Sequence, residues 1–165
     1  MKAVARFEKI SLDQFKKDYD LSTNIEETYN DILLPKRATL GSAGYDFFSP
    51  LDFTLNPGET IKIPTGIRCF IEDGYVLSLY PRSGLGFKYR IQLNNTVGII
   101  DSDYYNALNE GHIMIKLTND SNEGKVLNVK KGEGIAQGIF TEYFVTYDDE
   151  TEGIRVSGFG STTKK

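Results

Sequence analysis

In its second half the chain reads His112-Ile113-Met114-Ile115-Lys116-Leu117-Thr118, and this alternation places Ile113, Ile115 and Leu117 on one face of an extended segment. Residues 60–63 and 67–71 repeat the same period of two. Turn-forming sequences, rich in Asn, Gly, Pro and Asp, separate these runs. Short strands spaced by about ten residues predict an all-β sandwich, barrel or jelly roll.

Composition restricts the possible functions of this chain of 165 residues. The single cysteine, Cys69, excludes intramolecular disulfides and a cysteine-rich zinc site, and the single histidine, His112, excludes metal sites built on several histidines. A formal net charge of -4 disfavours a broad nucleic-acid surface. Because no apolar run is long enough to span a bilayer, we expect no membrane partner and a reducing cytoplasm, or the nucleus, as the location.

Glycine divides the chain unevenly, since all 16 glycines fall between Gly41 and Gly160. We therefore interpret residues 1–30 as an N-terminal extension packed on the same domain. Residues 31–165 form the main β-rich body, which ends in a flexible glycine-rich tail.

The extension has its own local pattern. Apolar residues within positions 4–10 predict a short strand, and Ser11 is placed to N-cap a helix over residues 12–19. Phe15 and Tyr19 would lie one turn apart on that helix. A packing element or an oligomer contact is the simplest interpretation of this face.

Five segments combine small residues with acids, amides, hydroxyls or arginine in patterns that plain strands do not require. Each alone also fits a structural role: a turn carboxylate, a helix cap, an Asx-turn, a turn before a strand, and a polar tail. Yet Ser83 is placed to N-cap a helix beginning near Gly84, and a helix N-terminus beside Arg82 can bind an anion. Asp101 stands at a strand end, where a carboxylate is a candidate general base. The segments are residues 41–46, 81–86, 94–105, 132–138 and 155–163.

In this order and spacing the five segments resemble the motifs of the trimeric dUTPase family over about residues 31–163. The matching motifs are Ala43-Gly44-Tyr45-Asp46, Pro81-Arg82-Ser83-Gly84, Gly98-Ile99-Ile100-Asp101-Ser102-Asp103-Tyr104, Gly134-Ile135-Ala136-Gln137 and Gly158-Phe159-Gly160-Ser161-Thr162. The resemblance implies a jelly-roll-like (β-clip) subunit with one short helix after the second motif. It also implies a homotrimer with shared sites that hydrolyses dUTP to dUMP and pyrophosphate with Mg²⁺. That reaction keeps uracil out of DNA and supplies dUMP for thymidylate synthesis.

The resemblance also implies residue roles in hydrolysis. Asp101 would deprotonate the water that attacks the α-phosphorus. The second motif, Arg82 with Ser83 and Gly84, would hold the α- and β-phosphates. Gln137 would hold phosphate or a metal-bound water, and Asp46 would bind the magnesium ion through water.

Further residues are implied in substrate selection. A hairpin of residues 99–101 and 112–115 would pair with uracil together with the Asn95 amide, and Gly98 and Met114 would also bind the substrate. Tyr104 would lie under the deoxyribose and leave no space for a 2′-hydroxyl. The tail would close on the nucleotide. Phe159 would stack on uracil, and the γ-phosphate would be surrounded by Gly160, Ser161, Thr162 and Arg155.

The sequence departs from the family pattern in places, and two alternative functions stay open. Six residues, 105–110, stand between Tyr104 and Gly111 where the family usually has one, and Arg155 lies four rather than five residues before Phe159. One alternative is the related dCTP deaminase. The other is a regulatory protein, for example phage-encoded, that acts by binding a repressor or another protein partner.

Overall fold

The computed structural model describes residues 2–20 and 24–155, so the predicted tail residues Phe159, Gly160, Ser161 and Thr162 lie outside the described residues. The α-helices are α1 (Leu12–Asp18), α2 (Ile25–Asn30) and α3 (Ser83–Tyr89), and a 3-10 helix spans Ser102–Asn106. The strands are β1 (Ala5–Lys9), β2 (Lys36–Arg37), β3 (Tyr45–Phe48), β4 (Phe53–Leu55), β5 (Thr60–Pro64), β6 (Ile67–Ile71), β7 (Tyr75–Pro81), β8 (Ile91–Leu93), β9 (Gly98–Ile100), β10 (Met114–Asn119), β11 (Leu127–Val129) and β12 (Gly134–Glu142).

The strands pair antiparallel throughout the described residues. The largest sheet has the order β2-β3-β12-β7-β9, and a second has the order β5-β10-β8. Two further pairs are β1-β6 and β11-β4. The predicted all-β class is confirmed, and the predicted short helix after the second motif is α3.

The alternating segment that begins at His112 forms the centre of the core. Ile113, Ile115 and Leu117 are each at most 1% exposed, which confirms the predicted buried face. Each such side chain contributes about 1.5–3 kcal/mol by its removal from water. Strand β10 lies between β5 and β8, so both of its edges pair with neighbouring strands.

The segment of residues 5–19 packs against this core. Strand β1 pairs with β6 along its whole length, from Ala5 opposite Ile71 to Lys9 opposite Ile67. Ser11 caps α1, as predicted, because its hydroxyl accepts a hydrogen bond of 3.1 Å from the backbone N–H of Gln14. Phe15 is fully buried on this helix. Helix α2 was not predicted from the sequence, because it has only six residues and no side-chain cap.

One predicted pairing is wrong. Residues 99–101 and 112–115 do not form a hairpin, because β9 pairs with β7 whereas β10 pairs with β5 and β8. The 3-10 helix and the turns that follow it separate the two strands into different sheets.

Among the described helices, none has both the length and the apolar character that crossing a bilayer requires.

Candidate active site

Three of the five motifs meet on neighbouring strands of the largest sheet. Asp46 on β3 lies opposite Gln137 on β12, which in turn lies opposite Tyr80 on β7. The Arg82 guanidinium binds the Asp46 carboxylate through two contacts, Nε to Oδ1 at 3.1 Å and Nη2 to Oδ2 at 3.3 Å. Gln137 Nε2 donates to the Pro81 carbonyl at 3.2 Å. We call these residues the Asp46–Arg82–Gln137 cluster.

Two motif glycines make room for this cluster. A Cβ atom on Gly44 would lie 2.6 Å from Gln137 Oε1, closer than real Cβ contacts allow. A Cβ atom on Gly134 would lie 2.6 Å from Arg82 Nη1. The small residues of the first and fourth motifs therefore serve the placement of a neighbouring polar side chain.

Helix α3 begins at Ser83, directly after β7. The prediction that Ser83 is the N-cap is wrong, because Arg82 occupies that position with extended backbone and makes no side-chain cap bond. The helix starts one residue earlier than expected, since the strand continues to Pro81 and leaves Arg82 as the half-helical residue. Gly84 faces open space, with room for a side chain.

The third motif forms a second group of polar residues. Asp101 follows β9 and precedes the 3-10 helix, and its backbone carbonyl accepts a hydrogen bond of 3.2 Å from Tyr104 N–H. Its carboxylate contacts Arg155 Nη2 at 2.5 Å, and Arg155 Nε contacts Asp103 Oδ1 at 2.7 Å. The Arg155 guanidinium lies 5.8 Å from the centre of the Tyr104 ring. We call Asp101, Tyr104 and Arg155 the Asp101–Tyr104–Arg155 cluster.

Tyr104 itself is buried, with 3% exposure. Burial raises the pKa of its hydroxyl, so the group stays neutral. The hydroxyl donates to the His112 carbonyl at 2.7 Å and accepts from Asn109 Nδ2 at 2.9 Å. A narrow cleft brings Tyr104 together with Asp101, Arg155 and the end of β9.

The residues predicted to select uracil lie on separate segments. Asn95 is exposed in the turn between β8 and β9. Gly98 opens β9 opposite Leu79, whose Cβ would lie 3.1 Å from a Cβ on the glycine. Met114 begins β10 opposite Pro64. Their substrate contacts stay predictions.

The two clusters lie towards opposite ends of β7 in one chain. Ile100 pairs with Leu77, so Asp101 follows at the level of Val76, whereas the second motif begins at Pro81. Five residues of extended strand span about 17 Å. A single chain therefore does not bring Asp101 next to the Asp46–Arg82–Gln137 cluster.

The described residues offer limited direct metal coordination. Across residues 2–20 and 24–155, His, Cys, Asp and Glu side chains form no group of three or more that could hold a metal. Mg²⁺ commonly keeps several waters and uses one or two carboxylates together with substrate phosphates. A single oriented carboxylate at Asp46, beside the Gln137 amide, fits such water-mediated binding.

Some contacts carried no signal in the sequence. The contact of Arg155 with both Asp101 and Asp103 joins residues more than 50 positions apart. Residues 105–110, noted only as an insertion, contact the N-terminal segment, where Tyr105 Oη donates to Glu8 at 2.7 Å. Such partners are far apart in the chain, so only the folded structure identifies them.

Comparison with known proteins places these motifs in a family. The dUTPase family model matches residues 30–163. The deoxyuridine 5'-triphosphate nucleotidohydrolase of Lactococcus lactis subsp. lactis (strain IL1403) is 42% identical over 134 residues, covering 79% of this chain and 88% of the relative. The protein of the same name from Hahella chejuensis (strain KCTC 2396) is 43% identical over 146 residues, covering 82% of this chain and 90% of the relative.

Solved structures agree with the sequence matches. The crystal structure of dUTPase from Streptococcus mutans superposes with a TM-score of 0.65 at 33% identity, covering 85% of this chain and 97% of the other. The dUTPase from phage phi11 of S. aureus, described with a structural Mg(II) ion, has the same fold with a TM-score of 0.65 at 20% identity, covering 92% of this chain and 98% of the other. The jelly-roll-like fold is thereby confirmed. With a family model spanning residues 30–163 and relatives that align over most of their length, the chain belongs to the dUTPase family.

Proposed function

We propose that the chain hydrolyses dUTP to dUMP and pyrophosphate, which keeps uracil out of DNA and supplies dUMP for dTMP synthesis. The observation that carries this function is the partly exposed Asp101 carboxylate beside Tyr104, in a chain of the dUTPase family with its first four motifs in place. Deamination of dCTP is not favoured by any contact in the described residues.

Asp101 acts as the general base on the attacking water. Its carboxylate is 49% exposed and lies at a strand end, so a water molecule can reach it. The water attacks the α-phosphorus, the proton passes to Asp101, and pyrophosphate leaves. Arg155 contacts this carboxylate in the chain alone and moves to the γ-phosphate when the nucleotide binds.

The Asp46–Arg82–Gln137 cluster binds the triphosphate. Arg82, with the backbone N–H groups of Ser83 and Gly84 at the start of α3, holds the α- and β-phosphates. Asp46 would hold Mg²⁺ through water, and Gln137 would hold phosphate or a metal-bound water. Bound Mg²⁺ supplies neutralisation of phosphate charge.

Substrate choice depends on residues near the third motif. The Asn95 amide, the Gly98 backbone and Met114 contact uracil, and a base that leaves polar groups unpaired is rejected. Tyr104 packs under the deoxyribose and excludes a 2′-hydroxyl. The tail completes the site through its residues Phe159, Gly160, Ser161 and Thr162.

The separation of the two clusters along β7 favours a homotrimer with shared sites. Asp101 from one copy then meets the Asp46–Arg82–Gln137 cluster of another. Residues 1–30 form an extension packed on the domain of residues 31–165, which is supported by the β1-β6 pairing. The protein acts in the cytoplasm, where its nucleotide substrate is found.

The test is a panel of dUTP, dCTP, dTTP and UTP with Mg²⁺, followed by detection of pyrophosphate and of the nucleotide product. We expect pyrophosphate and dUMP from dUTP, with much lower rates for the other nucleotides. Ammonia release from dCTP would identify a deaminase. Absence of any turnover, together with capture of a protein partner, would support the regulatory alternative instead.

A further inference from the structure

The hydroxyl of Tyr104 is held from two sides. It donates to the backbone carbonyl of His112 at 2.7 Å, and it accepts a hydrogen bond from Asn109 Nδ2 at 2.9 Å. Both partners follow Tyr104 within eight residues, so the hydroxyl is held by a local segment of the chain. Two directed hydrogen bonds on one hydroxyl fix both the direction and the depth of an aromatic side chain.

Asn109 is itself fixed by a tight turn within the insertion of residues 105–110. Its backbone carbonyl accepts from His112 N–H at 3.1 Å, and its Oδ1 accepts from Gly111 N–H at 3.3 Å. Gly111 has a φ of +69°, and a Cβ there would lie 2.6 Å from the Tyr104 carbonyl oxygen. The turn is therefore pressed directly against the backbone of Tyr104.

The insertion is anchored to the N-terminal segment. The Glu110 carboxylate accepts from Ser11 N–H at 2.7 Å and from Ser11 Oγ at 2.6 Å. Burial alone would raise the pKa of Glu110, but the hydrogen bonds from Ser11 bring it below its ordinary value, so the contact is charged at neutral pH. Ser11 is also the cap of α1, so the helix and the insertion share one residue.

His112 provides a second anchor on the same helix. Its ring is fully buried, and Nε2 accepts from the Gly66 backbone N–H at 2.8 Å. The proton of the neutral ring is therefore on Nδ1, which donates to Asp18 Oδ2 at 2.7 Å. Asp18 at the end of α1 thus holds the residue whose carbonyl receives the Tyr104 hydroxyl.

We infer that Asn109 is a positioning residue for sugar discrimination, and that the Asp18–His112 contact lets the N-terminal segment support the same ring. This inference rests on the proposed function, in which Tyr104 excludes the 2′-hydroxyl. A ring excludes one extra oxygen only while it is held in place, because a shift of about 1 Å admits the larger sugar. The N-terminal segment and the insertion therefore affect substrate choice without touching the nucleotide.

The first experiment measures the ratio of kcat/KM for dUTP to that for UTP in Asn109→Ala, Tyr104→Phe and the double variant. Loss of one side-chain hydrogen bond should lower the ratio roughly three- to tenfold in Asn109→Ala. Tyr104→Phe should lower it at least as far, and the double variant should match Tyr104→Phe alone. Asn106→Ala is the matched control, since this exposed amide in the same segment has no side-chain hydrogen bond to another described residue. Its ratio should equal that of the original chain.

The second experiment tests the longer connection. Asp18→Ala should lower the same ratio, and Asp18→Asn should restore part of it because the amide oxygen still accepts from His112 Nδ1. Melting temperatures are recorded for every variant. A variant that loses stability but keeps the ratio identifies Asp18 as merely structural and overturns its role in positioning.

A third measurement does not depend on turnover. In protein with ¹³C-labelled tyrosine rings, Asn109→Ala should shift and broaden the Tyr104 ring resonances, whereas Asn106→Ala should leave them unchanged. Unchanged Tyr104 resonances, or additive effects in the double variant, would overturn the inference. Failure of the unsubstituted chain to hydrolyse dUTP would instead contradict the proposed function, so the two failures are distinguishable.

Discussion

The Asp46 carboxylate and the Arg82 guanidinium form a two-point ion pair that joins β3 to the residue after β7. The side chain of Asp46 is 19% exposed and that of Arg82 is 41% exposed, so the pair is partly shielded from water. A carboxylate held in this way cannot rotate freely. Each of its oxygens has a further lone pair that can accept a hydrogen bond from water. This geometry suits the proposed role of Asp46 in binding Mg²⁺ through water.

Asp46→Asn should therefore weaken magnesium binding more than it lowers the maximal rate. A neutral amide accepts weaker hydrogen bonds from metal-bound water and from Arg82, a loss of roughly 1.5–3 kcal/mol. We expect the Mg²⁺ concentration at half-maximal dUTP hydrolysis to rise about tenfold or more. Asp52→Asn is the control, because Asp52 forms only surface contacts with Lys130 and Lys131. An unchanged magnesium requirement in Asp46→Asn would argue against the metal role.

Gly44→Ala should disturb Gln137 without touching the nucleotide. The new methyl group would lie 2.6 Å from Gln137 Oε1, so the amide must move from its place beside Pro81. We expect kcat/KM for dUTP to fall roughly tenfold, with a melting temperature lowered by a few degrees. Gly41→Ala, in the same turn, would place its new methyl group in open space and should behave like the original chain. Equal activities of the two variants would refute this account.

The core could be read from sequence because it depends on a local alternation. The face of Ile113, Ile115 and Leu117 follows from the period of a strand alone. The contacts of Tyr104 could not, because its partner Asn109 lies in a turn and the anchor Asp18 lies 94 residues from His112. Neither segment alone contains a pattern that predicts these contacts. The predicted hairpin was wrong for a similar reason, because the pairing of β9 with β7 and of β10 with β5 and β8 depends on residues distant in the chain.

Asp101→Asn should remove the proposed base while preserving shape. We expect kcat for dUTP to fall by roughly 10²–10⁴, the usual contribution of general-base catalysis, with nucleotide binding largely kept. Asp120→Asn is a suitable control, because Asp120 forms an exposed pair with Arg90 away from the third motif. Turnover and calorimetric binding are measured on the same preparations. A near-normal rate in Asp101→Asn would move the role to another group, with Asp103 the first to examine.

Stability should fall as pH decreases below about 6.5 because of His112. Burial lowers the pKa of His112 below its ordinary value of 6.5, so the unfolded chain binds a proton more readily than the folded one. The stability contributed by the neutral ring is therefore present above pH 6.5 and is lost as pH falls below it. His112→Gln keeps an acceptor for Gly66 N–H and should flatten this dependence in urea unfolding. An equally steep dependence in His112→Gln would assign the effect to other groups.

The separation of the two clusters along β7 predicts that two inactive chains can restore each other. Arg82→Ala removes a proposed phosphate ligand and Asp101→Asn removes the proposed base, so each protein alone should be nearly inactive. In the proposed trimer, a shared site can take Asp101 from the first variant and Arg82 from the second, which leaves about one quarter of sites intact after random mixing. The two variants are unfolded together, refolded at equal amounts, and assayed for dUTP hydrolysis against each variant refolded alone. Different affinity tags on the two chains verify that mixed trimers have formed.

Recovery of activity only in the mixed sample is the expected result, since Asp101 and Arg82 of one chain lie too far apart to serve one α-phosphate. Verified mixed trimers without activity would mean that each chain builds its own site, even if dUTP hydrolysis by the unsubstituted chain is established.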